Sequence, residues 1–195
     1  PSGTDPTPYV TAIGGGSGNP VGVNQTTPTT VDYDPWWADM AMTVEGTNET
    51  VQNLTQGTTY SSIQDAIDAA NSGETIEAGP RTYPESLTID KSLTLTSSDG
   101  AATTTIVGDA NIAVTIDADD VTVNGFTVTN PSNDFGFYSQ DDNGVTITNN
   151  IITDIGPSDA TSSSSNSGIA VVSSAAAVDG VTITGNTIHK IDGGE

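Results

Sequence analysis

The chain has no cysteine, so neither a disulfide nor a thiol–metal site holds it together. Positive charge is nearly absent as well. Arg81, Lys91 and Lys190 face 25 acidic residues, and the formal net charge is −22. Such a surface repels nucleic-acid phosphates and anionic membranes, which excludes both as direct partners. No apolar run reaches the ~18 residues of a spanning helix, so no membrane span is expected. Hydrophobic residues make up only 33% of the chain, too few for a thick globular core but enough for a thin solenoid core. There is no initiating Met and no secretory leader before Pro1, so a mature or excised segment is expected.

The acids are scattered between Val/Ile/Thr runs and not gathered in blocks. That distribution favours a folded, strongly solvated surface over disorder. Two causes compete. One is a salt-rich habitat, where ionic strength screens self-repulsion. The other is divalent-cation binding. The shortage of Lys runs through the whole chain, which favours the halophilic reading.

What the chain does have is repetition. Val121–Phe126 reads VTVNGF, Val145–Asn150 reads VTITNN and Val181–Asn186 reads VTITGN. A repeat on that scale indicates stacked units. Superimposing the copies aligns Val121, Val145 and Val181, then Val123, Ile147 and Ile183, then Val128, Ile152 and Ile188 as inward columns. Thr122, Thr146 and Thr182 form an outward hydroxyl column. Asn150 and Asn186 share a bend where amides can bond along the stack, and Phe126 occupies that place in the first copy. Like stacking on like is what a parallel coil demands, because successive rungs lie about 4.8 Å apart.

From Glu74 onward, short alternating runs recur with Gly, Asn, Asp or Pro between most of them. Before them, Ser61–Ala70 reads SSIQDAIDAA. Ile63, Ala66, Ile67 and Ala70 form one apolar stripe, so a short amphipathic helix is predicted over 61–70. Ser62 can cap it with Asp65 three residues on, and Asn71-Ser72-Gly73 ends it. Residues 1–57 hold most of the prolines and no sustained period. They read as an irregular Pro/Gly-rich arm with short extended pieces at Tyr9–Ile13 and Met42–Val44. Within the arm, VDYDPWW places Tyr33, Trp36 and Trp37 together as a packing anchor.

The run from Thr59 to Gly108 resembles the opening of right-handed parallel β-helix proteins of the pectate-lyase-like superfamily. A capping helix is followed there by a G-x-T-I…Y-x-E stretch, matched by Gly73, Thr75, Ile76, Tyr83 and Glu85. Pro80-Arg81 departs from the Gly that usually precedes the tyrosine step. The resemblance implies an all-β, right-handed parallel β-helix over residues 58–195, of about four coils. It implies little about activity, since the superfamily includes lyases, hydrolases, tailspikes, adhesins and surface proteins. A second resemblance covers the first 40 residues. PSGTDP followed by VDYDPWW looks like the tail that closes the coil stack of secreted β-helix proteins. That implies a chain opening with the end of one β-helix and continuing into the start of the next.

Lyases of this fold use a basic residue beside a calcium–carboxylate cluster. Arg81, Lys91 and Lys190 have no such neighbours in the aligned repeats. Hydrolases use paired carboxylates, and Asp119-Asp120 and Asp141-Asp142 are pairs, but each stands where a turn wants Asp. Asp117, Asp119, Asp120, Asp141 and Asp142 are the candidate Ca²⁺ ligands, being oxygen donors expected on neighbouring rungs; the plainer reading is solvated turns. His189 alone cannot form a triad or an ordinary zinc site. Asn24, Asn48 and Asn53 open N-x-[ST] acceptors for N-glycosylation, and their clustering favours an extracellular location. Ser158–Ser167 is expected to protrude as a loop between the second and third copies.

Together these features predict an extracellular assembly module of a fibre, surface layer or adhesin. Its partners are other copies of itself, with Tyr33, Trp36 and Trp37 as junction anchors. No catalytic set and no required cofactor are expected, calcium being the one candidate. The alternative is a β-helix that binds or cleaves carbohydrate.

Overall fold

Val, Ile and Leu alternating with Thr suit a pleated strand with one face inward, and most such runs are strands here. The computed structural model describes residues 51–157, 166–174 and 177–191. The first complete circuit is β3 (Glu74–Ala78), β4 (Thr82–Tyr83) and β5 (Leu87–Ile89). The second is β6 (Leu93–Ser97), β7 (Thr105–Val107) and β8 (Ile112–Ile116). The third is β9 (Thr122–Asn124), β10 (Thr127–Asn130) and β11 (Phe135–Gln140). The fourth is β12 (Thr146–Thr148), β13 (Ile151–Ile155) and β14 (Ser167–Val172), after which β15 (Thr182–Thr184) and β16 (Thr187–Ile188) begin a fifth.

Each circuit contributes one strand to each of three stacked sheets. With β1 at Val51–Asn53 and β2 at Thr58–Tyr60, the first sheet runs β15-β12-β9-β6-β3-β1-β2, the second β16-β13-β10-β7-β4 and the third β14-β11-β8-β5. Every pairing from β3 onward is parallel. The described residues are therefore all-β apart from one short helix, with parallel sheets visited in the same order each time.

Register follows the sequence columns. Val123, Ile147 and Ile183 are paired in line, as are Val128, Ile152 and Ile188. Thr122, Thr146 and Thr182 align on the outer face. The bend asparagines bond as a ladder. Asn150 Oδ1 accepts from the Phe126 N–H at 2.9 Å, and Asn186 Oδ1 accepts from the Asn150 N–H at 2.9 Å. Each amide nitrogen turns inward, Asn150 Nδ2 to the Val123 carbonyl and Asn186 Nδ2 to that of Ile147. The ladder thus begins one rung earlier than its first Asn side chain, on the backbone of Phe126.

Corners need left-handed backbone, and the sequence meets that need in columns. Asp120, Gly144 and Gly180 (φ 58°, 67° and 72°) stack where the chain enters the first sheet. Gly125, Asn149 and Gly185 (φ 81°, 54° and 67°) stack where it leaves. Gly, Asn and Asp tolerate that region best, which is why turn residues recur before and after each VT run.

In the third sheet the core narrows. The registers of β8, β11 and β14 align Ala113, Gly136 and Gly168. A Cβ on Gly136 would lie 2.5 Å from the Gly168 carbonyl and 3.1 Å from Ile152 Cγ2. Gly136→Ala must therefore push two rungs apart. It is expected to cost about 1–3 kcal/mol, read as a lowered midpoint in thermal denaturation.

One end of the stack is closed. β1 (Val51–Asn53) pairs antiparallel with both β2 (Thr58–Tyr60) and β3, so the β1–β2 hairpin extends the first sheet there, with β2 outermost. The helix α1 (Ile63–Ala69) buries Ile63, Ala66 and Ile67 against the same end. Ser62 caps α1 through the Asp65 N–H, as the sequence predicts, and Ala70 is buried too. β1 has no counterpart in the sequence reading, which placed residues 51–57 in the irregular arm. Tyr9–Ile13 and Met42–Val44 lie outside the described residues.

Candidate functional site

The polar residues converge at two places, the closed end and the corner before the first sheet. At the closed end Glu74 is the hub. It is 8% exposed and accepts from Asn53 Nδ2 (2.7 Å), Gln56 Nε2 (2.7 Å), the Asn71 N–H (2.9 Å) and Asn71 Nδ2 (3.0 Å). One carboxylate thus ties β1, the β1–β2 turn and the end of α1 to β3. The Asn71 side chain first, then Asn53 and the Asn71 backbone, lower its pKa from 4.5 to about 2.

The linkage has a definite sign. A carboxyl group held below its unfolded value adds stability at high pH, and that stability is lost as pH falls through the folded value. Glu74 therefore contributes fully above about 4.5, and its contribution fades between 4.5 and 2. Wild type should lose more stability than Glu74→Gln over that window, measured as the denaturant midpoint at each pH. Parallel curves for the two proteins would refute the hub role.

Three further charged residues of the first two circuits serve the cap. Glu85 accepts from the Ile63 N–H (2.9 Å) and the Gln64 N–H (3.0 Å), satisfying two orphan donors at the start of α1. Lys91 Nζ donates to the carbonyls of Ile67 (3.0 Å) and Asp68 (3.4 Å) at its end. The helix has no basic residue in its own last turn, so Lys91 supplies that charge from the loop before β6. Arg81 donates to the Ser61 carbonyl at 2.6 Å, with its guanidinium 4.5 Å from the ring centre of Tyr83. Tyr83 itself is buried and donates to the Gly79 carbonyl at 3.0 Å.

At the corner, the candidate cation ligands bond to neighbouring rungs. Asp119 Oδ1 accepts from the Asn143 N–H at 2.6 Å, 24 residues on, and Asn143 Oδ1 accepts from the Asp179 N–H at 3.0 Å, 36 residues further. Asp141 accepts from the Ser174 N–H at 2.7 Å. Asp142 is buried and accepts from Ser139 Oγ (2.8 Å) and the Gln140 N–H (3.2 Å). Asp120 takes the left-handed corner conformation, and Asp117 is exposed. Among the described residues no three His, Cys, Asp or Glu side chains converge as a metal site. Asp119 and Asp141 thus accept bonds from the next rung, Asp142 accepts within its own turn, and Asp120 forms the corner.

His189 Nδ1 lies 3.2 Å from Thr153 Oγ1 on the rung before it. Beside it, Lys190 Nζ pairs with Asp154 at 3.3 Å. Thr153 first, then Lys190, hold the Asp154 carboxyl below its ordinary value. Arg81, Lys91 and Lys190 thus each have a structural partner.

Of the three glycosylation candidates, Asn53 needs correction. It is fully buried, and the nitrogen that would carry the glycan is bonded to Glu74, while its Oδ1 accepts from the N–H groups of Thr55 and Gln56. The folded protein therefore closes that acceptor. Asn24 and Asn48 lie outside the described residues, as do Tyr33, Trp36 and Trp37 and most of the Ser-rich stretch at 158–165. Sequence reasoning missed Glu74 altogether and had Glu85 only as part of the family stretch.

The chain is similar to a cell surface glycoprotein of Methanothermus fervidus, 38% identical over 104 residues. The match takes in 52% of this chain and 17% of the length of that protein. No protein-family model matches the chain, and no solved structure matches it. No helix among the described residues is long and apolar enough to cross a membrane.

Proposed function

We propose that the chain is an extracellular structural module, a segment of right-handed parallel β-helix that contributes length and register to a surface layer, fibre or adhesin. The observation behind this reading is what the fold does with its polar side chains. Arg81 and Lys91 hold the helix cap, Lys190 pairs with Asp154, and the corner acids bond one rung to the next. Groups that would do chemistry in an enzyme of this shape are engaged in holding the stack. The likeness to a protein named a cell surface glycoprotein supports a surface location. The net charge of −22 suits a salt-rich exterior, where screening offsets self-repulsion. Asn24 and Asn48 are the N-glycan acceptors on this reading.

The test is topological. Antibody to the chain should label intact cells of the source organism, and protease applied to unbroken cells should remove the signal. Label that appears only after lysis, in the soluble fraction, would overturn the proposal.

A further inference from the structure

Asparagine is followed directly by glycine twice in the chain, at Asn124-Gly125 and Asn143-Gly144. This dipeptide carries its own reaction. Glycine has no side chain to crowd its nitrogen, so that nitrogen can close on the preceding carboxamide. Hydroxide takes the proton of the glycine N–H, the nitrogen bonds to the asparagine Cγ, and the Cγ–Nδ2 bond breaks with release of ammonia. Water then opens the imide ring. Opened at Cγ, it gives aspartate. Opened at the main-chain carbonyl, it gives isoaspartate, whose backbone runs through Cβ and Cγ. The balance is one water consumed, one ammonia released and one negative charge added.

Both dipeptides stand at corners of the first sheet, where Gly125 and Gly144 have φ of 81° and 67°. The corner needs glycine for its backbone and a carboxamide to bond along the stack, so the geometry that builds the coil also writes the reactive pair. Neighbouring rungs hold both reacting groups. Asn124 Nδ2 donates to Thr96 Oγ1 (3.0 Å) on the rung before, and its Oδ1 accepts from Asn149 Nδ2 (2.9 Å) on the rung after. The Gly125 N–H donates to the Thr148 carbonyl at 3.2 Å. At the other corner, Asp119 Oδ1 accepts from the Asn143 N–H (2.6 Å) and from Asn143 Nδ2 (3.3 Å), while Asn143 Oδ1 accepts from the Asp179 N–H (3.0 Å). The Gly144 N–H donates to the Asp179 carbonyl at 2.9 Å. Attack requires the glycine nitrogen to surrender a proton that the next rung holds. It also requires the carboxamide to turn out of its bonds to two rungs. The closed stack blocks both movements, and an opened rung permits both.

We propose that Asn124 and Asn143 are self-modification sites that the neighbouring rungs keep silent, so that the opening of a rung is converted into a permanent chemical change. Permanence follows from the register. Isoaspartate at 124 lengthens the main chain between β9 and Phe126. The Phe126 N–H bonds to Asn150 Oδ1, and Thr127 pairs with both Thr105 and Ile151. A longer corner cannot keep β9 and β10 in register with the same neighbours, so a rung that opens and reacts does not close again in place. Ordinary aspartate is milder. Asp119 and Asp179 already occupy the place of Asn143 on the rungs before and after it, each two residues ahead of a VT run. None of this depends on where the protein resides.

The experiment incubates the full chain at mildly alkaline pH, folded and in guanidinium chloride. Peptide mass spectrometry reads the change of amide to acid at each site, and labelling by isoaspartyl methyltransferase identifies isoaspartate. Both sites should react in the denaturant. In the folded chain both should react about 100-fold more slowly or less, because the reaction waits for the stack to open. Equal rates in the two states would overturn the proposal. Two variants separate the sites. Thr96→Val removes one bond to Asn124 and should speed reaction there about 5-fold, the worth of one hydrogen bond, with Asn143 unchanged. Asp119→Ala should speed Asn143 by at least that factor and leave Asn124 unchanged. Asn149→Gly, which keeps the positive-φ corner, serves if Thr96→Val fails to fold. Variants that speed both sites alike, or neither, would overturn the proposal by placing the reaction in global unfolding. A chain carrying isoaspartate at 124, isolated and refolded, should lose hydrogen-exchange protection at the Phe126 amide, whereas Asn124→Asp should keep it. Full protection in the isoaspartate chain would overturn the permanence of the change.

Discussion

Replacing Ile147 with alanine is expected to cost about 2–5 kcal/mol, and the same change at Ile183 less than about 1 kcal/mol. The two residues are direct register partners on β12 and β15. They share side chain, strand position and flanking threonines. Only the covering differs, 0% exposed against 44%. At position 147 the lost methylenes leave a cavity between rungs that are tied by backbone bonds above and below, so the walls relax little. At position 183 water already reaches the side chain, and truncation opens no closed void. Chemical denaturation of the two variants at low protein concentration measures the contrast directly. Equal losses would mean that the last rung is covered within the single chain.

The second large effect is expected at Asn150. Its side chain accepts from the Phe126 N–H and donates to the Val123 carbonyl, both in the buried interior. Asn150→Ala removes both partners at once, at a position only 1% exposed. Each abandoned buried group costs about 1–3 kcal/mol, so a loss of about 2–5 kcal/mol is expected. The equivalent Asn186→Ala should cost about 1 kcal/mol, because Asn186 is only partly buried on the outer rung and water can take its place. Hydrogen exchange gives a sharper reading than stability alone. The Phe126 amide should lose protection selectively in Asn150→Ala, before neighbouring amides of β10. Uniform loss across the stack would place the effect in global unfolding and deny the ladder its local role.

Much of this architecture was readable from the chain because a stacked fold writes its contacts as periodicity. Leu87–Ile89 and Thr105–Val107 are strands within the region where alternating runs are expected, and the inward columns through Val123 and Val128 pair as the alignment of copies requires. The Asn bend was visible for the same reason. Other features left no periodic trace. β4 is two residues long, and β1 is three residues without a neighbour of like sequence. Glu74, Glu85 and Lys91 each bridge to an element about 20 residues away through one side chain, and nothing in the local pattern marks the partner. The candidate calcium ligands show why an acid-rich corner carries two readings in sequence. Acids gathered before each VT run look like a donor set, but a corner that must adopt positive φ and accept bonds from the next rung selects the same residues.

The matched corners also bear on how such a chain can change over time. Because Asp120 and Gly144 occupy the same conformation on successive rungs, the stretch between them is interchangeable with its own copy. Duplicating it in the gene would insert one more storey and disturb neither terminus of the building. Thickness can therefore evolve in whole steps of about 4.8 Å, by copying and deletion, without inventing new packing.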